Sequence, residues 1–269
     1  MLYNENMIKD FDKINITNVK TVSNFHTHNY LCGHAEGTVA DYAQEAVKCG
    51  YKILGVSDHF ASHSDYKPVY VTWDTLETEY LPQFDEANKL YGDKLTLLKG
   101  VEVAYYEGAF KYYAKLRDKL DYVVLGQHGY MLNGKRKNSF WDGNDEQNVI
   151  AYCNQSITAI KTGLFDIFAH PDLIFFNNPR VTVKMCEAFD RMIRTAVENG
   201  VILELNANGI RNAHFSYPTD MLIEACLKHN AKVVVSSDCH LPRELCDEYV
   251  LKLYAYAKSL GLNVLDDIR

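Results

Sequence analysis

Along this chain, short β-branched or aliphatic runs alternate with longer stretches whose apolar residues follow helical spacing. The runs fall at residues 22–25, 53–56, 96–103, 122–125, 166–168, 201–205 and 233–236. Several are continuously apolar rather than alternating, as strands buried on both faces are. Between them, Thr38-Val39-Ala40-Asp41 has the form of a capping box and leads into Ala43, Ala46 and Val47, with Gly50 as a stop. Thr182 precedes Met185, Phe189, Met192, Ile193, Ala196 and Val197 at helical spacing, and Gly200 follows them. Pro218 suits the first turn of a helix through Met221, Leu222 and Ala225. Segments 74–90, 109–119, 145–161 and 243–260 fill the remaining gaps with helix. Seven strands alternating with helices imply an α/β fold with a parallel sheet. An open doubly wound sheet and a closed barrel both satisfy that pattern. A barrel spreads functional residues over the ends of many strands, whereas an open sheet gathers them at one switch point.

The polar residues separate the two. Strand one ends in His26-Thr27-His28, an i, i+2 pair whose side chains share one face. His34 follows in the next loop. Later strands run into Asp58-His59, Gly100-Val101-Glu102, Gln127-His128, His170-Pro171-Asp172 and Asp238-Cys239-His240. Only the run at 201–205 lacks a histidine or a candidate ligand; it leads into Glu204-Leu205-Asn206 and on to Arg211. Seven of the ten histidines therefore sit at strand ends or in the loops that follow. This spread favours the barrel. His63, His214 and His229 stand outside the pattern as bystanders. The nine candidates His26, His28, His34, His59, Glu102, His128, His170, Asp238 and His240 exceed the four ligands of one tetrahedral zinc, so two or three ions are expected. Imidazole with carboxylate suits zinc, manganese or iron. Cys32 and Cys239 flank ligands. Cys239 is expected to face away from its neighbours and to serve in packing.

Composition narrows the setting. The chain has 269 residues, 47% hydrophobic and 23% charged, as one globular domain would, with residues 1–20 as a polar lead-in. The net charge of −7 argues against a nucleic-acid surface. No apolar run approaches the roughly 18 residues of a membrane span, and the N-terminus lacks a signal-peptide core. Seven scattered cysteines without a C-x-x-C pattern suit reduced thiols in a cytoplasm.

Taken in order, these motifs resemble the polymerase and histidinol phosphatase (PHP) family. Phe25-His26-Thr27-His28, Ser57-Asp58-His59, Gly100-Val101-Glu102 and Ser237-Asp238-Cys239-His240 are similar to its successive motifs. Cys32-Gly33-His34-Ala35-Glu36-Gly37 and the Glu204–Arg211 pattern resemble its stand-alone histidinol-phosphate phosphatases. The resemblance implies a distorted seven-stranded β/α barrel similar to the TIM barrel and a site for three divalent ions. One ion would take His26, His28, Glu102 and Asp238. A second would share Glu102 and take His128 and His170, and a third would take His34, His59 and His240. The implied reaction is hydrolysis of L-histidinol phosphate by a hydroxide between two ions.

Within that reading Arg211 is the candidate phosphate clamp, because a guanidinium can hold two oxygens. Glu36 is the candidate acceptor of the substrate ammonium. Asp58, Asp172 and Asn206 are expected to orient imidazoles, and Asp238 to move a proton. Arg180 and residues 135–137 read as solvated charges. The rival readings are a phosphoesterase for another small ester, a polymerase-associated module and a metal-binding protein without turnover.

Overall fold

The structure, a computed structural model, describes residues 11–61, 70–176, 180–212 and 217–269. The first half of the expected lead-in, His63 and His214 lie outside the described residues. The strands are β1 (Ser23–Asn24), β2 (Ile53–Val56), β3 (Thr96–Lys99), β4 (Glu102–Val103), β5 (Val124–Leu125), β6 (Gly129–Leu132), β7 (Lys135–Asn138), β8 (Ile167–Phe168), β9 (Ile202–Asn206), β10 (Lys232–Ser236) and β11 (Asn263–Val264). The helices are α1 (Val39–Cys49), α2 (Trp73–Thr75), α3 (Leu81–Tyr91), α4 (Phe110–Ala114), α5 (Glu146–Ile160), α6 (Val183–Glu198), α7 (Asn208–Arg211), α8 (Asp220–His229) and α9 (Glu248–Ser259). No helix among the described residues is long and apolar enough to cross a membrane.

All seven expected runs contain strand, and the pairing along the two main sheets is parallel, as an α/β fold requires. One sheet has the order β1-β2-β3 and the other β11-β10-β9-β8-β5-β4. Isolated parallel bridges, Thr27 to Cys239 and His59 to Glu102, join the two at their C-terminal ends. The run at 96–103 divides because its halves pair with different neighbours, β3 with β2 and β4 with β5. At the break, the Tyr122 ring occupies the space that a Cβ on Gly100 would need. Its hydroxyl donates to Phe25 O at 2.8 Å.

Two apolar clusters follow from this layout. The smaller is enclosed by the strands and gathers Phe25, Ile53, Leu98, Tyr122, Ile167 and Val234 with their neighbours. The larger lies between strands and helices. Side-chain alternation along β9 sends Leu203 and Leu205 to the outer cluster and Ile202 to the inner one. Glu204 and Asn206 share the parity of Ile202 and stand above it.

Local signals set most helix ends. Thr38 and Asp41 form the expected box at the start of α1, and Gly50 ends it with φ 82°. Thr182 caps α6 by accepting from Met185 N. Two starts differ from expectation. α8 begins after Thr219, whose hydroxyl accepts from Leu222 N, so Pro218 precedes the cap instead of opening the helix. α9 begins after Asp247, whose carboxylate accepts from Tyr249 N and Val250 N, and the residues before it form a separate turn of 3-10 helix, Pro242–Glu244.

His229 has a structural partner. Asp190 on α6 accepts from Lys228 Nζ at 2.7 Å and His229 Nε2 at 2.8 Å, both on α8. Partial burial raises the Asp190 pKa, but Lys228 and His229 outweigh it and hold the carboxyl below its ordinary value. A lowered folded pKa stabilises above the unfolded value, about 3.9, and the contribution disappears as pH falls through the folded value. Asp190→Asn is therefore expected to cost about 0.5–1 kcal/mol at neutral pH. Urea unfolding should show this difference vanish on acidification; a difference independent of pH would refute the assignment.

Candidate metal centre

The C-terminal ends of the strands converge on the carboxylate of Glu102, which opens β4 and is buried. Its Oε1 lies 3.0 Å from His170 Nε2 and 3.3 Å from His128 Nε2. Its Oε2 lies 2.7 Å from His59 Nδ1 and 3.6 Å from His26 Nε2. Asp238 Oδ1 stands 3.0 Å from His28 Nε2 and 3.6 Å from His26 Nε2. The His26 and His28 Nε2 atoms face each other at 3.1 Å, as those of His128 and His170 do at 3.3 Å. The rings of His34, His59 and His240 close one side, with centroids 4.8 Å apart for His34 and His240 and 5.2 Å for His34 and His59. All nine expected ligands are thus brought together. His34 is the one that is exposed.

A further layer fixes their orientation. His26 Nδ1 meets Glu204 Oε1 at 2.8 Å, and His28 Nδ1 meets Asp58 Oδ1 at 3.3 Å. His34 Nδ1 donates to Cys32 O and His240 Nδ1 to Asp238 O, which leaves each Nε2 as a lone-pair donor. Asn206 Nδ2 donates to both Glu204 Oε2 and Asp238 Oδ2, at 2.8 and 3.0 Å. The His170 backbone N–H donates to Glu204 Oε2 at 3.0 Å. Two of the candidate ligands occupy left-handed backbone, His170 with φ 31° and Asp238 with φ 45°, conformations that cost free energy in residues other than glycine.

Electrostatics divide the imidazoles. Burial alone would lower His26 and His28, but the surrounding carboxylates more than offset it: His26 is raised well above its ordinary value, and His28 to about 9. Burial and neighbouring imidazoles instead lower His59, take His128 to about 3 and take His240 to about 2. Burial opposes ionisation of Glu102 and Asp238, yet the imidazoles hold both well below the usual carboxylate range. Glu102 Oε2 is buried beside His59 Nδ1 but without an aligned hydrogen bond, and His170 Nδ1 is buried without a hydrogen-bond partner. Ionised acids, neutral imidazoles, opposed ring nitrogens and a carboxylate oxygen without an aligned hydrogen bond together form a donor set that fits divalent cations.

Other candidates fall elsewhere. The Arg211 guanidinium is committed to Asp247 Oδ2 at 2.6 Å, Ser237 O at 3.1 Å and Glu244 O at 3.2 Å, so it ties loops together instead of lining the cavity. Glu36 is exposed and outside the cavity wall. Asp58 meets an imidazole, His28, as expected, whereas Asn206 touches no ring and instead holds the carboxylates of Glu204 and Asp238. Asp172 does not; its Oδ2 accepts from the backbone of Thr219, at the start of α8. Burial pushes the Cys32 thiol up to about 12, so it stays protonated. Cys239 is buried and accepts from Ser237 Oγ.

Above the histidines opens a cavity of about 410 Å³. Arg136, on β7, is the one lysine or arginine in its wall among the described residues, and it lies 5.0 Å from the Tyr106 ring centroid. Arg136 is exposed, as expected of solvated charge at 135–137, and also borders this cavity. Asn133-Gly134, with φ 52° and 72°, was the available sign of a hairpin that delivers Arg136 here. Glu204 was likewise readable from its i, i+2 relation to Asn206.

The PHP domain model matches residues 24–208. This chain belongs to the PHP domain family. It is a hydrolase of the phosphatase class. It shares 25% identity over 236 residues with a Deinococcus radiodurans protein named probable histidinol-phosphatase, covering 82% of this chain and 86% of that one. A Schizosaccharomyces pombe protein of the same name is 26% identical over 275 residues, covering 89% and 87%. The fold of this PHP protein superposes on a Lactococcus lactis histidinol phosphate phosphatase, solved with zinc, L-histidinol and phosphate. The TM-score is 0.68 at 14% identity, covering 91% of this chain and 95% of that one.

A Cβ on Gly126 would overlap Glu102 Oε1. Gly126→Ala is expected to displace that carboxylate, lower bound metal and cost about 1–3 kcal/mol of stability. Elemental analysis beside thermal unfolding checks this; unchanged metal content would show that the Glu102 position is not needed.

Proposed function

We propose that this PHP protein hydrolyses phosphomonoesters, with L-histidinol phosphate as substrate, at a site for three divalent ions of zinc, manganese or iron. The convergence of nine candidate ligands, seven of them in the wall of one cavity and His26 and His28 packed against those, carries this reading. His26, His28, Glu102 and Asp238 would hold one ion, Glu102, His128 and His170 a second, and His34, His59 and His240 a third. Ions there supply charge to bind phosphoryl oxygens and lower the pKa of an attacking water. We read the fold as a distorted seven-stranded barrel, a reading supported by the bridges between its sheets and by the cluster they enclose. Seven free cysteines fit a reducing cytoplasm.

The chain's own groups then divide the work. Arg136 takes phosphate oxygens from the cavity wall, the role first given to Arg211, while Arg211 keeps the loop bearing Asp238 and His240 in place. Glu204 and Asp58 fix the His26 and His28 rings. Asp238, ionised, accepts the proton of the attacking water at Oδ1, while Asn206 and Asn208 hold its Oδ2. That proton leaves with the alcohol, and water adds to phosphorus, so no covalent bond to the enzyme forms.

A panel of phosphomonoesters on metal-loaded enzyme tests the substrate: histidinol phosphate should give the highest kcat/KM, and rigorous chelation should abolish turnover. A nucleotide or sugar phosphate ranking first would overturn the substrate, and full activity without metal would overturn the mechanism. Arg136→Ala should lower kcat/KM about 10- to 100-fold, as loss of a charge-assisted pair does. No change would return the clamp to another residue.

A further inference from the structure

Beside the cavity stands an aromatic rim that the reaction itself does not require. Phe140 forms part of the cavity wall and stacks on His128, with centroids 5.8 Å apart and planes at 20°. Trp141 and Phe176 continue outward from it. Phe140 is 6.2 Å from Phe176, Trp141 is 5.8 Å from Phe176, and both contacts are edge-on. Trp141 is nonetheless 66% exposed, the second most exposed large apolar side chain among the described residues.

The loop that presents these rings is anchored. Ser139 is buried and donates from its hydroxyl to Gln127 O at 2.7 Å, and from its backbone to His128 O at 2.9 Å. Asp142 accepts from Asn138 N at 2.7 Å. At Gly143 the chain lies so close to Ile174 O that a Cβ would overlap it. An indole held out to solvent on a fixed loop forgoes the stabilisation of burial. It connects through Phe176 and Phe140 to the wall of the cavity that holds the candidate ligands.

We infer that the rim of Phe140, Trp141 and Phe176 receives a planar aromatic leaving group of the phosphate ester cleaved in the cavity. The inference rests on the phosphatase reading but not on histidinol phosphate itself, whose imidazole is one member of the class. The phosphate would sit on the floor near Arg136, and the aromatic group would stack against the rim as the ester points outward.

Two measurements test it on the full, metal-loaded chain. The first compares kcat/KM for p-nitrophenyl phosphate with that for glycerol 1-phosphate. Stacking of this kind is worth about a three- to tenfold preference, and Trp141→Ala should reduce the aromatic-to-aliphatic ratio by that factor. The second uses Trp73→Phe, which leaves Trp141 as the only tryptophan. Its emission should respond saturably to L-histidinol and not to L-alaninol. An unchanged ratio in Trp141→Ala overturns the inference, as does emission that follows protein concentration and ignores L-histidinol, which would make the rim a contact between copies. The ranking of histidinol phosphate among esters is a separate outcome. Should it rank low while the ratio still falls, the substrate reading fails and the rim stands.

Discussion

A carboxylate buried among five imidazoles governs this molecule. An ionised acid removed from water costs several kcal/mol unless neighbours compensate it. Among the described residues Glu102 pairs with no lysine or arginine, only with rings whose protonation is itself opposed by burial. Protons cannot settle the cluster evenly: His26 and His28 are driven to hold them while His59, His128 and His240 are driven to shed them. Multivalent cations resolve the conflict, because they satisfy carboxylates and neutral imidazoles at once. The barrel-like convergence of strand ends, the glycine that makes room for Glu102 and the acids behind the rings all serve that one concentration of charge.

The backbone carries part of the cost. His170 and Asp238 adopt left-handed conformations that a glycine would take more easily. Each is held from behind: His170 by the Glu204 carboxylate on its N–H, Asp238 by its own N–H to His26 O at 2.9 Å. Glu204 thereby links β1, β8 and β9 without being a ligand, and Asn206 extends the link to Asp238. The site is positioned by hydrogen bonds between strands as well as by the strands themselves.

Much of this was legible in the sequence for a simple reason. Ligands at strand ends leave a period-two mark, as in His26-Thr27-His28 and Asp238-Cys239-His240, and several such marks cannot arise from a helix. The parallel strands were legible from their continuous apolar runs. What escaped depends on tertiary pairing. The division of 96–103 follows from a change of partner strand over Tyr122, which no local pattern records. The commitment of Arg211 to Asp247 joins residues 36 apart in sequence, so a guanidinium that looked free for phosphate was already engaged. Arg136 is exposed, as solvated charge would be, but its place at the cavity wall left no local mark. An arginine between two lysines reads as solvated surface alone until the Asn133-Gly134 turn brings it beside the cavity.

That hairpin has a consequence for how the protein can change. β6 and β7 pair only with each other, apart from the two sheets that hold the ligands. The arginine in the cavity wall and the aromatic loop beyond it are carried on this one appendage. Replacing it would alter the cavity wall while leaving the candidate ligands at the ends of the main strands in place; of these, His128, just before β6, borders the seam. The candidate ligands and the cavity-wall groups of the hairpin thus reside on separable pieces of chain, so selection can retune one without rebuilding the other.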